Sequence, residues 1–282
     1  MDWVLDNEFL TPGGTVRWAV HGTGDPVVFV HGTPYSSYLW RDIAPALSRQ
    51  RTVYVFDHLG YGASEKHEGQ DLGLAAQAQN FTRLLDHWGL SSPSVVAHDI
   101  GGAIALRALL IEGAAYRDLT LFDAVSGGEW ERGLFRLILN HADVFDQLPS
   151  YAHEALVASH LRNATEVGFR PGVLDAFLDP WRGPEGQAAF YRQYSQINQA
   201  DTVEYEPLLA ELSLPVRIIW GRQDRILPPE YAHWLHERVP HAQLSWIEGA
   251  GHLLQEDASA QLVGHLLETS TAGSDENIDY QM

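Results

Sequence analysis

Val95-Val96-Ala97-His98-Asp99-Ile100-Gly101-Gly102-Ala103-Ile104-Ala105 is the stretch on which the reading of this chain turns. It starts with β-branched residues, as a buried strand does, and continues into Ala and Leu at helical spacing. The pattern reads as strand, very tight turn, helix, with one acidic side chain at the apex. A side chain presented on so sharp a turn needs strained backbone, so the residues two places either side must be small. Here they are Ala97 and Gly101. The plainer reading is a strand-to-helix turn whose aspartate caps the helix. The rest of the chain decides between the two.

A chain of 282 residues, 45% of them hydrophobic, is large enough for one sizeable core, or a core with an inserted unit. Its 37 acidic and 18 basic residues give a net charge of −19, which argues against nucleic acid or an anionic membrane surface as a partner. There are no cysteines, so disulfides and thiolate metal sites are excluded. The 14 histidines show no pair at metal-ligand spacing with acidic neighbours, and no metal or cofactor is expected. The stretch Met1 to Asp6 has no basic region followed by an apolar run, as a signal peptide would. No apolar run approaches the ~20 residues that span a bilayer. The expectation is a cytoplasmic protein acting on a small molecule, with a homo-oligomer left open.

Around the central turn the chain alternates strand and helix. Thr15 to Val20 alternates, Gly22 to Pro26 turns, and Val27 to Val30 is continuously apolar, which together predict a hairpin. His31-Gly32-Thr33-Pro34 follows directly. Trp40 to Leu47 reads as a short helix, Thr52 to Phe56 as a buried strand, and Asp57 to Ser64 as a glycine-rich turn. Gly73 to Trp88 carries helical periodicity, and Leu119 to Phe122 is the next strand. Continuously apolar strands alternating with helices indicate a mostly parallel sheet covered on both faces, an α/β fold. From about Ala124 to Glu206 strand signals vanish and aromatics crowd helix-compatible sequence. Strand signals return at Val216 to Trp220 and Gln243 to Ile247. The polar, acidic end, 269–282, reads as a disordered tail.

An apical aspartate that does chemistry needs partners at other strand ends. The strand at Ile218-Ile219 runs into Gly221-Arg222-Gln223-Asp224, and the next into Glu248-Gly249-Ala250-Gly251-His252. In a parallel sheet these loops all emerge at the carboxyl edge, where open α/β sheets bind ligands. Nucleophile, acid, histidine is also the chain order of a known triad. Asp123, after the Leu119–Phe122 strand, is a rival for the acid.

These segments, with His31-Gly32-Thr33-Pro34 and Asp57-His58-Leu59-Gly60-Tyr61-Gly62-Ala63-Ser64, resemble the epoxide hydrolase and haloalkane dehalogenase branch of the α/β-hydrolase superfamily. The resemblance covers nearly the whole chain except the tail and is weakest at 125–206. It implies an α/β-hydrolase core at 1–124 and 207–268, with an inserted helical cap at 125–206. It implies a triad of Asp99, Asp224 and His252, an oxyanion hole from the backbone N–H groups of Thr33 and Ile100, and a cis bond before Pro34.

An aspartate attacking a carbonyl would leave an anhydride; attacking saturated carbon, it leaves an ordinary ester. The expected substrate is therefore a small apolar epoxide or alkyl halide. His252, oriented by Asp224, would activate the water that cleaves the ester. Dehalogenases of this branch hold the halide with side-chain N–H donors, one of them directly after the nucleophile, where this chain has Ile100. Trp181 could substitute only in part. An epoxide leaves as an alkoxide and needs a hydrogen-bond donor, which relatives supply from cap tyrosines. Tyr191 and Tyr194 are the candidates, with Tyr151 a weaker third. The leading expectation is thus an epoxide hydrolase, the alternative a dehalogenase with an atypical halide site. A non-hydrolytic binding or biosynthetic member of the fold is the third.

Overall fold

The apolar runs of the sequence become neighbours in one eight-stranded sheet, seen in a computed structural model that describes residues 3–267. The strands are β1 (Asn7–Thr11), β2 (Gly14–His21), β3 (Asp25–Val30), β4 (Arg51–Phe56), β5 (Ser94–His98), β6 (Asp118–Phe122), β7 (Val216–Gly221) and β8 (Gln243–Ile247). Their order is β1-β2-β4-β3-β5-β6-β7-β8, with β2 antiparallel to both neighbours and every other pairing parallel. The expected hairpin between the second and third strands does not form. β2 pairs instead with β1 and β4, and β3 lies between β4 and β5. Local turn chemistry at Gly22 to Pro26 reverses the chain without pairing the strands it joins. Parallel β3, buried on both faces, takes the sheet interior instead.

Alternation within the strands divides the apolar side chains between two cores. Val28, Val30, Val95, Ala97, Leu119 and Leu121 face α2 (Leu74–His87), α3 (Ile100–Leu110) and α9 (Glu230–Arg238). Val27, Phe29, Val53, Val55, Val96 and Phe122 face the other way, toward α1 (Ala44–Leu47), α10 (Leu254–Asp257) and α11 (Ser259–Leu267). The helix read over Trp40 to Leu47 is two pieces, a 3₁₀ turn at Ser37–Trp40 capped by Ser36 and then α1 with Pro45 in its first turn. α3 is apolar nearly all round and buried from Ile100 through Ala108, as befits a helix between sheet and α2. Removing a side chain such as Leu106 from it would cost about 2–5 kcal/mol.

Between β6 and β7 the chain is helical: α4 (Gly133–Phe145), α5 (Ser150–Asn163), α6 (Val173–Leu178), α7 (Gly183–Gln196) and α8 (Ala200–Val203). We refer to this as the cap segment. Its Val157, Leu161, Phe177, Trp181 and Phe190 join the second core, so it is packed onto the sheet unit rather than tethered to it. Polar ties reinforce the seam: Leu253 N–H donates to Ala164 O (2.9 Å), and Trp181 Nε1–H to Pro34 O (2.8 Å). The tail expected at 269–282 lies outside the described residues. Among the described residues no helix is long and apolar enough to cross a membrane.

Candidate active site

Asp99 sits between β5 and α3 with φ 52° and ψ −128°, a left-handed conformation that an aspartate rarely adopts unless its surroundings impose it. Its carbonyl accepts N–H bonds from Gly102 and Val125, each 2.9 Å, which pins the turn. The flanking glycines are required by contact rather than by φ. A Cβ on Gly101 would stand 2.5 Å from His31 O, and one on Gly32 would stand 2.4 Å from Asp99 Cβ. The loop after β3 therefore touches the apex of the turn. There Thr33 N–H donates to Asp99 Oδ1 at 2.7 Å, and the Ile100 N–H also faces that carboxylate. The Thr33–Pro34 bond is cis. His31 locks the loop: its Nε2 accepts from His58 N–H (3.0 Å) and its Nδ1–H donates to Gly32 O (2.9 Å). Burial holds this imidazole down at about 3, so it is neutral and structural.

The other two expected residues converge on the same point. His252 Nδ1 lies 2.9 Å from Asp224 Oδ2, and its Nε2 lies 3.4 Å from Asp99 Oδ2. Asp224 is itself oriented, since its Oδ1 accepts N–H bonds from Ile226 (2.7 Å) and Leu227 (2.9 Å). His98 Nε2–H donates to His252 O at 3.0 Å and fixes the glycine-rich loop that carries the imidazole. Burial alone would push the His252 pKa down; the Asp224 charge and hydrogen bond, then Asp99, hold it well above the usual histidine value. Burial would raise Asp99, yet the His252 hydrogen bond and charge outweigh it and hold the carboxyl below its ordinary value. Asp99 is thus an ionised carboxylate with Oδ1 taking the Thr33 N–H and Oδ2 turned toward His252, and its side chain lines a cavity.

That cavity, about 340 Å³, has Asp99, Thr33, Ile100 and Tyr194 among its buried lining, with Trp130 and Val125 on its wall. Among the expected cap donors only Tyr194 reaches it. Its hydroxyl lies 3.3 Å from Nε2 of His160, which also lines the cavity. Two expectations need correction. Tyr191 points away from the cavity and is 2.9 Å from His153 Nδ1, bordering a separate surface cleft with Lys66 and Arg192. Tyr151, at 77% exposed, lies on the surface of the cap segment. Three residues apart on α7, the two directions differ by about 60°, enough for packing to turn only Tyr194 into the cavity. Trp181 is a packing residue whose indole N–H is spent on Pro34 O. His160 was not singled out from the sequence; nothing local distinguishes it from His153, seven residues earlier on α5. Among the described residues no group of His, Asp or Glu is arranged to hold a metal ion.

Comparison with known proteins agrees with the geometry. The family model described as "alpha/beta hydrolase fold" matches residues 25–259. A crystal structure of an alpha/beta hydrolase fold protein from Burkholderia ambifaria superposes with a TM-score of 0.91 at 42% identity, covering 94% of this chain and 98% of that one. A cis-3-alkyl-4-alkyloxetan-2-one decarboxylase of Shewanella oneidensis is 27% identical over 90% of this chain and 84% of its own length. Haloalkane dehalogenase 2 of Mycobacterium tuberculosis is 24% identical over 90% of this chain and 91% of its own length. With the sheet order, the strained turn and the family match in agreement, the chain belongs to the alpha/beta hydrolase fold family, as an enzyme of hydrolase type.

Proposed function

We propose that this enzyme opens a small, largely apolar epoxide by attack of Asp99 on saturated carbon, giving a covalent ester that a His252-activated water hydrolyses to a diol. The observation that carries this reading is the division of labour on Asp99, which lines the cavity: Oδ1 meets the Thr33 N–H at 2.7 Å while Oδ2 faces His252 at 3.4 Å. Attack by Oδ2 breaks the carbon–oxygen bond of the ring, and the departing oxygen takes a hydrogen bond from Tyr194. Burial, then the Asp99 charge, hold the Tyr194 phenol well above its ordinary value, so it stays protonated and able to donate.

Ester formation also prepares the second step. Once Asp99 is esterified its negative charge is gone, and with it part of what keeps the proton on His252. The imidazole then gives up its proton, the one the alkoxide takes to become a hydroxyl, and becomes the base that takes a proton from water. Water attacks the Asp99 carboxyl carbon, and the Thr33 and Ile100 N–H groups receive the oxyanion that forms on Oδ1. Such donors are worth about 10²–10³ in rate each.

Support for an epoxide over a halide comes from the indole N–H groups. Trp130, on the cavity wall, donates to Thr202 Oγ1 (3.0 Å), and Trp181 donates to Pro34 O, so neither is left for a departing halide. The hydroxyl of Tyr194 suits an oxygen leaving group. The experiment is to turn over His252→Gln with a panel of epoxides and bromoalkanes and weigh the Asp99 peptide. An ester from the epoxides is the expected result. Halide release with no epoxide adduct would transfer the reading to a dehalogenase, and no adduct with either would end the covalent route.

A further inference from the structure

Asp123, at the end of β6, is fully buried and has φ 39°, the second such strained aspartate beside the triad. Its Oδ1 accepts the Gly221 N–H at 2.8 Å, but Oδ2 has no hydrogen-bond donor. The carboxyl of Asp224 stands within hydrogen-bonding reach of it, and the charge of His252, on the loop after β8, acts on it as well. Every donor around Asp224 is already committed: Ile226 and Leu227 N–H to Oδ1, and His252 Nδ1–H to Oδ2. Two carboxyl groups in contact inside a protein cannot both hold a full negative charge. A proton between them would give the orphaned Oδ2 its partner.

We propose that Asp123 and Asp224 act as one two-carboxyl unit that shares a single proton and carries one negative charge behind His252, so that Asp123 is a positioning residue for the imidazole. In the resting arrangement Asp123 holds the proton and donates it toward Asp224, which takes His252. Burial and then the Asp224 charge push the Asp123 carboxyl well above its ordinary range, in keeping with this. When Asp224 is made neutral, Asp123 releases its proton to solvent and takes over the charge.

This inference rests on the covalent reading above, and its test separates the two. Asp123→Asn keeps a neutral donor in place but removes the reserve charge, so it enters the test as the second member of the double variant. Asp224→Asn falls by about 10–10²-fold because the charge moves rather than vanishes, whereas the double variant falls toward ~10⁴-fold, the loss typical of a triad without its acid. An Asp224→Asn rate as low as that of the double variant would overturn the proposal. Infrared spectroscopy reads the proton without any turnover: a protonated carboxyl band in the unsubstituted enzyme at neutral pH, absent from Asp123→Asn, is expected. A spectrum lacking that band refutes the shared proton, whatever the kinetics. Ester formation on Asp99 does not use His252, so an Asp99 adduct building up in the double variant shows that the covalent reading stands. No adduct in any variant sinks that reading while the infrared band still decides the proton.

Discussion

Two histidine–tyrosine pairs bridge the same two helices of the cap segment, and only one of them lines the cavity at Asp99. His153 and His160 stand seven residues apart on α5; Tyr191 and Tyr194 stand three apart on α7. His153 Nε2–H donates to Trp181 O at 2.9 Å, so its Nδ1 must accept, and the Tyr191 hydrogen is committed to it at 2.9 Å. The second pair has no such lock. His160 Nε2 touches only the Tyr194 hydroxyl, and burial holds that imidazole neutral at about 4. As the Nε2–H tautomer it donates to Tyr194 and leaves the phenol hydrogen free for a ligand. The first pair is therefore a strut, while the second has a donor to spare above Asp99. Similar residues at similar spacing thus differ in role because one extra carbonyl, that of Trp181, uses up one tautomer.

The strongest challenge to this comparison is the matched pair of phenylalanine substitutions. Tyr194→Phe should slow ester formation by about 10²-fold, the usual cost of one donor to a developing oxyanion, with His160 left as a weaker substitute. Tyr191→Phe should leave that step within about 2-fold. Single-turnover rates of Asp99 alkylation compare them directly, and equal losses would erase the distinction.

The histidines sharpen it further. His153→Gln should cost about 1–3 kcal/mol of stability, because it disturbs the buried Trp181 carbonyl and Tyr191 hydroxyl together, while the alkylation rate changes little. His160→Gln should do the reverse, slowing alkylation with a smaller shift in the denaturation midpoint. Urea melts beside single-turnover rates would show it.

The last comparison is on acid stability. The His160 pKa falls from 6.5 to about 4 in the folded chain, so below pH 6.5 the unfolded chain binds the extra proton. Stability is then lost as pH drops from 6.5 toward 4, by about 1.4 kcal/mol per pH unit for each such group. His31 and His98, each lowered to about 3, extend the loss further. His160→Gln should flatten the slope above pH 4 by that one proton. His252 works in the opposite direction: its raised pKa favours the folded state at and below pH 6.5, and that contribution fades as pH rises. Midpoints measured from pH 4 to 8 would read both signs.

The catalytic edge and the cap segment differ in how far they could be read in advance. At the edge, covalent geometry does the selecting. A strained Asp99 needs Gly101 within contact of His31 O and Gly32 within contact of its own Cβ, so the sequence must display glycines in fixed places. The apolar runs and the order Asp99, Asp224, His252 were likewise visible. The error there concerned β2, whose local turn suggested a partner that sheet order refused.

What the residues alone determined was the α/β alternation, the sharp turn and the types of group placed at the strand ends, because backbone strain and period-two burial leave local marks. Tertiary packing decided which tyrosine looks into the cavity, which histidine stands beside it, and that Asp123 lies against Asp224. Those choices depend on the rotation of helices about their axes and the spacing of strands that are distant in sequence, and neither quantity has a signature in neighbouring residues.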